Sequence, residues 1–117
     1  MAAPADCLFC KIVAGEVPAT VIRENDRLIV FQDINPQAPT HVLVVPKAHH
    51  RSAAEIASDD PELAAEIFRE AAAVAADEGI AESGYRIVIN TGPAGGQTVD
   101  HVHAHVLGGR GMGWPPG

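Results

Sequence analysis

The chain has 117 residues, 47% of them hydrophobic, and a formal net charge of −7. That suffices for one domain around one core. It is too acidic to grip a nucleic-acid backbone, which needs clustered Lys and Arg. No apolar run approaches the ~18–20 residues of a membrane span. Residues 1–6 read as a flexible N-terminus without the basic start and apolar core of a signal peptide. The two cysteines lie three apart, as befits a reducing compartment. The expected location is the cytoplasm.

In chain order, Cys7-Leu8-Phe9-Cys10-Lys11-Ile12-Val13-Ala14-Gly15 predicts a short helix. Phe9, Ile12 and Val13 share a helical face and Gly15 suits the C-terminal cap. Residues 20–23 and 28–31 predict two strands joined by the turn Glu24-Asn25-Asp26, hence an antiparallel hairpin. A loop from Gln32 to Thr40, fixed by Pro36 and Pro39, leads into a buried strand over 41–46 that stops at a proline. Residues 47–51 read as a polar connection. Asp59-Asp60-Pro61-Glu62 carries the aspartate cap, early proline and early acids of a helix start. Leu63, Ile67, Ala71 and Val74 then mark one face of a long helix ending near Gly79.

Residues 85–90 predict a fourth strand, and Thr91 to Thr98 a glycine-rich loop. A fifth strand spans Asp100-His101-Val102-His103-Ala104-His105-Val106-Leu107. Residues 108–117 form a tail without regular structure. Five strands with the long helix between the third and fourth indicate an α+β fold on an antiparallel sheet.

The fifth strand carries the chemistry. On a strand, side chains i, i+2 and i+4 share one face. Val102, Ala104 and Val106 therefore face the core, and His101, His103 and His105 project from the other side. Three exposed imidazoles are an odd choice for a solvated strand face, which favours Thr, Lys or Glu. They are also a poor metal cage. Their attachment points lie roughly 7 Å apart between neighbours and about 13 Å between the outer pair, against metal–nitrogen bonds of about 2.0–2.1 Å. Two could share an ion, hardly all three. The other histidines, 41, 49 and 50, form a second cluster, so both belong to one site or two adjacent ones. Gly95-Gly96 before Thr98 permits backbone N–H groups to point at an anion. Beside three histidines, that loop reads as a phosphate site.

The run Asp33-Ile34-Asn35-Pro36-Gln37-Ala38-Pro39-Thr40-His41, then Asn90 with Gly95-Gly96-Gln97-Thr98, then residues 101–107 resemble the histidine triad (HIT) superfamily. The tail from Gly108-Gly109-Arg110 to Trp114-Pro115-Pro116-Gly117 is similar to that of its Hint branch. The likeness covers nearly the whole chain from Cys7, with separated motifs in the same order. It implies a single HIT domain with one long and one short helix, and a homodimer that joins two sheets. It also implies hydrolysis of purine nucleoside 5′-phosphoramidates, AMP or GMP joined to an amine. His103 would be the nucleophile that carries the nucleotidyl group. His105 would bond the phosphate region, with His41 behind it and His101 completing the triad. Asp33 would hold the ribose hydroxyls. Asn90, Gly96, Gln97 and Thr98 would surround the phosphate, and Trp114 would approach the partner subunit's site. Phe9, Ile12, Leu28 and Ile34 are the candidates for the walls of the base pocket.

The chemistry agrees with those roles. Imidazole attacks phosphorus through one nitrogen when the other holds its proton against an acceptor. The departing amine must gain a proton from a second titrating group. No metal or other cofactor is required for these steps. Cys7-x-x-Cys10 is half of a zinc site, a redox pair or two small buried residues; the redox reading lacks a thioredoxin-like setting. Some bacterial relatives resemble a Cys2His2 pattern, which His49 and His101 would complete here as a structural zinc site, with His50 as the substitute for His49. Asp100 departs from the tyrosine of many Hint relatives and reads as a solvated strand start. The rival readings are a dinucleoside polyphosphate hydrolase or phosphorylase, a nucleotide- or zinc-binding interaction module, and a metalloenzyme that uses the triad as ligands.

Overall fold

The computed structural model describes residues 4–117, so residues 1–3 of the expected flexible N-terminus lie outside the described residues. Helix α1 (Leu8–Val13) is followed by strands β1 (Val21–Glu24), β2 (Leu28–Gln32) and β3 (Thr40–Pro46). Helices α2 (Ala53–Asp59) and α3 (Pro61–Asp77) come next, then β4 (Tyr85–Val88) and β5 (Ala104–Gly108). The five strands form one antiparallel sheet in the order β1-β2-β3-β5-β4. This is the α+β architecture expected. No described helix is long and apolar enough to cross a membrane.

Both faces of β2 and β3 are buried, and side-chain alternation divides them between two layers. Leu28, Val30, Val42 and Val44 join Val102, Ala104 and Val106 against Leu63, Ile67, Ala71, Val74 and Ala75 of α3. Ile29, Phe31, Leu43 and Val45 pack on the opposite face with Cys7 and Phe9. The small residues Ala71 and Ala75, both fully buried, let α3 lie close to the sheet. Burial of this order is the main favourable term in folding.

Three details correct the sequence-based picture. Among the described residues there are three helices, not two. Helix α2 occupies part of the stretch between the polar connection and Asp59; Ser52 caps it by accepting the Glu55 N–H at 3.2 Å. Ser52-x-x-Glu55 is the start of a capping box. Asp59 ends α2, and Asp60 caps α3 by accepting the Leu63 N–H. The fourth strand stops at Val88, short of Asn90. The fifth begins at Ala104, so His101 and His103 precede it outside the regular strand. Alternation survives without the strand: Val102, Ala104 and Val106 still face α3.

Candidate active site

His103 and His105 line a cavity of about 260 Å³ with Asp33, Ile34 and Thr98. Its apolar walls come from α1 (Leu8, Phe9, Ile12), the segment Val17–Ala19, and Phe31, Leu43 and Val99. Phe9, Ile12 and Ile34 are therefore where the sequence suggested. Leu28 is not: it faces α3 on the far side of the sheet. Asn90, Gly96, Gln97 and Trp114 do not line the cavity. Trp114 is 85% exposed. His101 is fully buried and turned to a different group of side chains.

Backbone atoms fix the protons on these rings. The Gln37 N–H donates to His41 Nδ1 at 3.0 Å, so His41 carries its proton on Nε2. That nitrogen lies 2.9 Å from His105 Nδ1 and 3.4 Å from Asp33 Oδ2. The shorter contact takes the proton. His105 accepts at Nδ1 and is left with its own proton on Nε2. His103 is set the other way: its Nδ1 donates to the His101 carbonyl at 2.8 Å, and Nε2 keeps a lone pair. The cavity thus receives one nucleophilic nitrogen and one N–H donor from rings whose centroids are 5.0 Å apart.

Burial lowers the pKa of His103, against the opposing pull of its bond to the His101 carbonyl. It lowers that of His105 to about 4, helped by neighbouring His103 and His41 and opposed by the Asp33 charge. Both rings are neutral at pH 7, as attack on phosphorus requires. The shift has a consequence for stability. In the unfolded chain His105 takes up a proton near its ordinary value of about 6.5, while in the folded chain it resists until about 4. Protons therefore favour the unfolded state across that interval. The melting temperature is expected to hold steady above pH 7 and to fall from pH 6.5 to 4. His105→Asn should flatten part of that fall; an unchanged slope in melts of the variant would remove His105 as a cause.

The glycine loop is braced on itself. The N–H groups of Gly95 and Gln97 donate to the Gly92 carbonyl, and that of Gly96 to Pro93. The expected outward row of N–H groups is therefore spent within the loop. Gly96 needs glycine, since its φ is +83°, and a Cβ on Gly95 would sit 2.3 Å from the Thr91 carbonyl oxygen. The Gln97 side chain accepts from the Gly92 N–H and donates to the Arg51 and Val99 carbonyls. Thr98 is the member of this loop that reaches the cavity. Asp100 is exposed and pairs with Arg51 at 3.2 Å, a surface contact of small worth.

Behind the cavity, Cys7, Cys10, His49 and His101 converge. Cys7 Sγ lies 3.3 Å and Cys10 Sγ 3.5 Å from His101 Nδ1. His49 Nδ1 lies 3.3 Å from Cys10 Sγ and 3.1 Å from His101 Nδ1. The edges of a zinc tetrahedron, from bonds of about 2.0–2.3 Å, are about 3.3–3.8 Å, so the donor set fits. His101 Nε2 donates to the Pro46 carbonyl at 2.8 Å, which leaves the Nδ1 lone pair for the cluster, as an outer partner should. Burial pushes the Cys10 thiol up to about 11, with Cys7 adding to the effect, and lowers His101 to about 4. Both cysteines are free. His50, the substitute for His49, is elsewhere, within reach of Glu55 and Asp59.

Comparison with known proteins agrees with this geometry. The HIT domain family model matches residues 14–112. A HIT family hydrolase from Legionella pneumophila superposes with a TM-score of 0.93 at 52% identity, over 96% of this chain and all of that one. A 14 kDa zinc-binding protein from Zea mays is 46% identical, over 94% of this chain and 87% of its own. The adenylylsulfatase HINT1 of Arabidopsis thaliana is 42% identical, over 99% of this chain and 81% of its own.

Proposed function

The chain belongs to the HIT domain family, and from that premise we propose that it is a purine nucleoside phosphoramidase of the Hint type. The observation that carries the reading is the pairing of a backbone-fixed lone pair on His103 Nε2 with the His105 N–H, both in one cavity. The base and sugar occupy the apolar part, and Asp33 accepts hydrogen bonds from the ribose hydroxyls. His103 Nε2 attacks phosphorus, the P–N bond to the amine breaks, and the amine leaves with the electron pair and takes a proton from solvent water. Water then cleaves the nucleotidyl-histidine bond and restores the ring. The His105 N–H and the Thr98 hydroxyl meet charge that grows on the phosphoryl oxygens. His41 acts through His105. Asn90, Gly96 and Gln97 hold the loop that presents Thr98.

Cys7, Cys10, His49 and His101 would hold a structural zinc ion, which supplies charge and cross-linking but no step of the reaction. The convergence of the four donors and the similar zinc-binding protein of maize support that assignment. The protein is further proposed to act as a homodimer, in which Trp114 of the exposed tail meets the partner subunit's cavity.

The deciding experiment is turnover of adenosine 5′-phosphoramidate beside a dinucleoside polyphosphate. Rapid release of AMP and ammonia, with the polyphosphate cleaved at least about tenfold more slowly, is expected. The reverse preference would place the chain with the polyphosphate hydrolases. No turnover of either by folded protein would leave a binding module.

A further inference from the structure

We propose that His50, Glu55 and Asp59 form a second divalent-cation site, of the zinc class. It is separate from the cysteine–histidine cluster and from the catalytic cavity. His49 and His50 are neighbours with different destinations: His49 meets Cys10 and His101, and His50 faces α2. His50 is 8% exposed, and its Nδ1 is buried with no hydrogen-bond partner among the described residues. That nitrogen stands 4.0 Å from Asp59 Oδ2, beyond hydrogen-bond length. A buried polar atom without a partner calls for a ligand or another reason.

The surroundings suit a cation. Glu55 and Asp59 are four residues apart, hence neighbours on one face of α2. One donor atom from each, with one from His50, all lie within 4.8 Å of one another. Glu55 is held at Oε1 by the Arg51 N–H, which leaves its other oxygen free. The Arg51 guanidinium itself turns to Asp100. Among the described residues, neither carboxylate forms an ion pair with Lys or Arg. Glu70, Asp77, Asp60, Glu66 and Glu24 all do. One imidazole with two carboxylates suits borderline divalent ions, and three protein ligands leave positions for water. The exposed Asp59 is free to close the remaining distance. The His50 carbonyl accepts the Val102 N–H at 2.7 Å, so an ion here would also brace the segment that leads into the triad.

The test uses the full chain with the cysteine–histidine cluster filled by one equivalent of zinc, then titrated with cobalt(II). One further equivalent is expected, with weak visible bands of a nitrogen–oxygen site and no thiolate charge-transfer absorption. Asp59→Asn, a change at an exposed residue, should weaken that equivalent at least tenfold, and His50→Gln should abolish it. Melts and the retained zinc establish that each variant is folded. A single total equivalent in the native chain would overturn the site in favour of a His50–Asp59 ion pair. A second equivalent that survives both substitutions would place the ion elsewhere and overturn it as well.

Discussion

His103→Ala is expected to lower the turnover of adenosine 5′-phosphoramidate by about 10⁴-fold or more, the scale on which covalent enzymes respond to loss of the nucleophile. That corresponds to about 5 kcal/mol of barrier. The expectation rests on a division of labour between two rings that composition alone would treat as equals. His103 gives its Nδ1 proton to a carbonyl and faces the cavity with a lone pair. His105 gives its lone pair to His41 and faces the cavity with a proton. Alanine at 103 removes the atom that attacks, and His105 cannot replace it without exchanging partners with His41. Binding should suffer far less, because Phe9, Ile12, Phe31 and Leu43 still form the walls. His103 also packs edge-on against Phe9 at 4.9 Å, so the variant will lose some stability. Kinetics should therefore accompany nucleotide affinity and a melt. Native protein quenched during turnover should carry one nucleotidyl group on His103. A variant that keeps its rate would show that another group attacks.

Removal of the proposed zinc ion is expected to act on the cavity at a distance. Helix α1 has six residues, too few to persist on its own. It is tied down by Cys7 and Cys10 at one side and by Phe9 at the other. The same helix supplies Leu8, Phe9 and Ile12 to the cavity wall. His101 adds a second connection, since its ring belongs to the cysteine–histidine cluster and its carbonyl orients His103. Cys7→Ser, or exhaustive chelation, should lower the melting temperature by about 10 °C or more, given about 2–4 kcal/mol per such shift in a domain of this size. AMP affinity should fall at least tenfold, while circular dichroism reports an intact sheet, because the α3-side core shares no residue with the cluster. Equal affinity and equal melting in demonstrably metal-free protein would reduce the four residues to a buried polar contact.

Much of this was legible in the residues, for reasons that also explain the gaps. The alternation of Val102, Ala104 and Val106 with three histidines separates the core face from the face that lines the cavity. The reading tolerated an error in where β5 begins, because Val102 packs with Ala104 and Val106 against α3 ahead of the strand. Leu28 was misplaced because β2 is buried on both faces. Period-two spacing separates its residues into two sets without saying which set meets the site. Helix α2 left a legible trace in Ser52-x-x-Glu55, but its seven residues are too short for a helical period to stand out. The glycine-rich loop reads from sequence as a phosphate site, yet the fate of its N–H groups depends on Gly92 and Pro93 carbonyls that sequence cannot orient. The proton positions on the rings were out of reach for the same reason. They depend on a partner 55 residues away, in the case of His101 and the Pro46 carbonyl, and on main-chain direction in the case of Gln37 and His101.

That last dependence bears on how such a protein can change over time. The partners that set the histidine protons are the Gln37 N–H and the carbonyls of His101 and Pro46. Every amino acid supplies a carbonyl, and every one but proline an N–H. Position 37, whose side chain is exposed, is thus open to any residue but proline without disturbing the proton order of His41 and His105. What must be inherited is the path of the chain. The specificity of the apolar walls can then be remodelled by ordinary substitution while the reacting pair stays as it is.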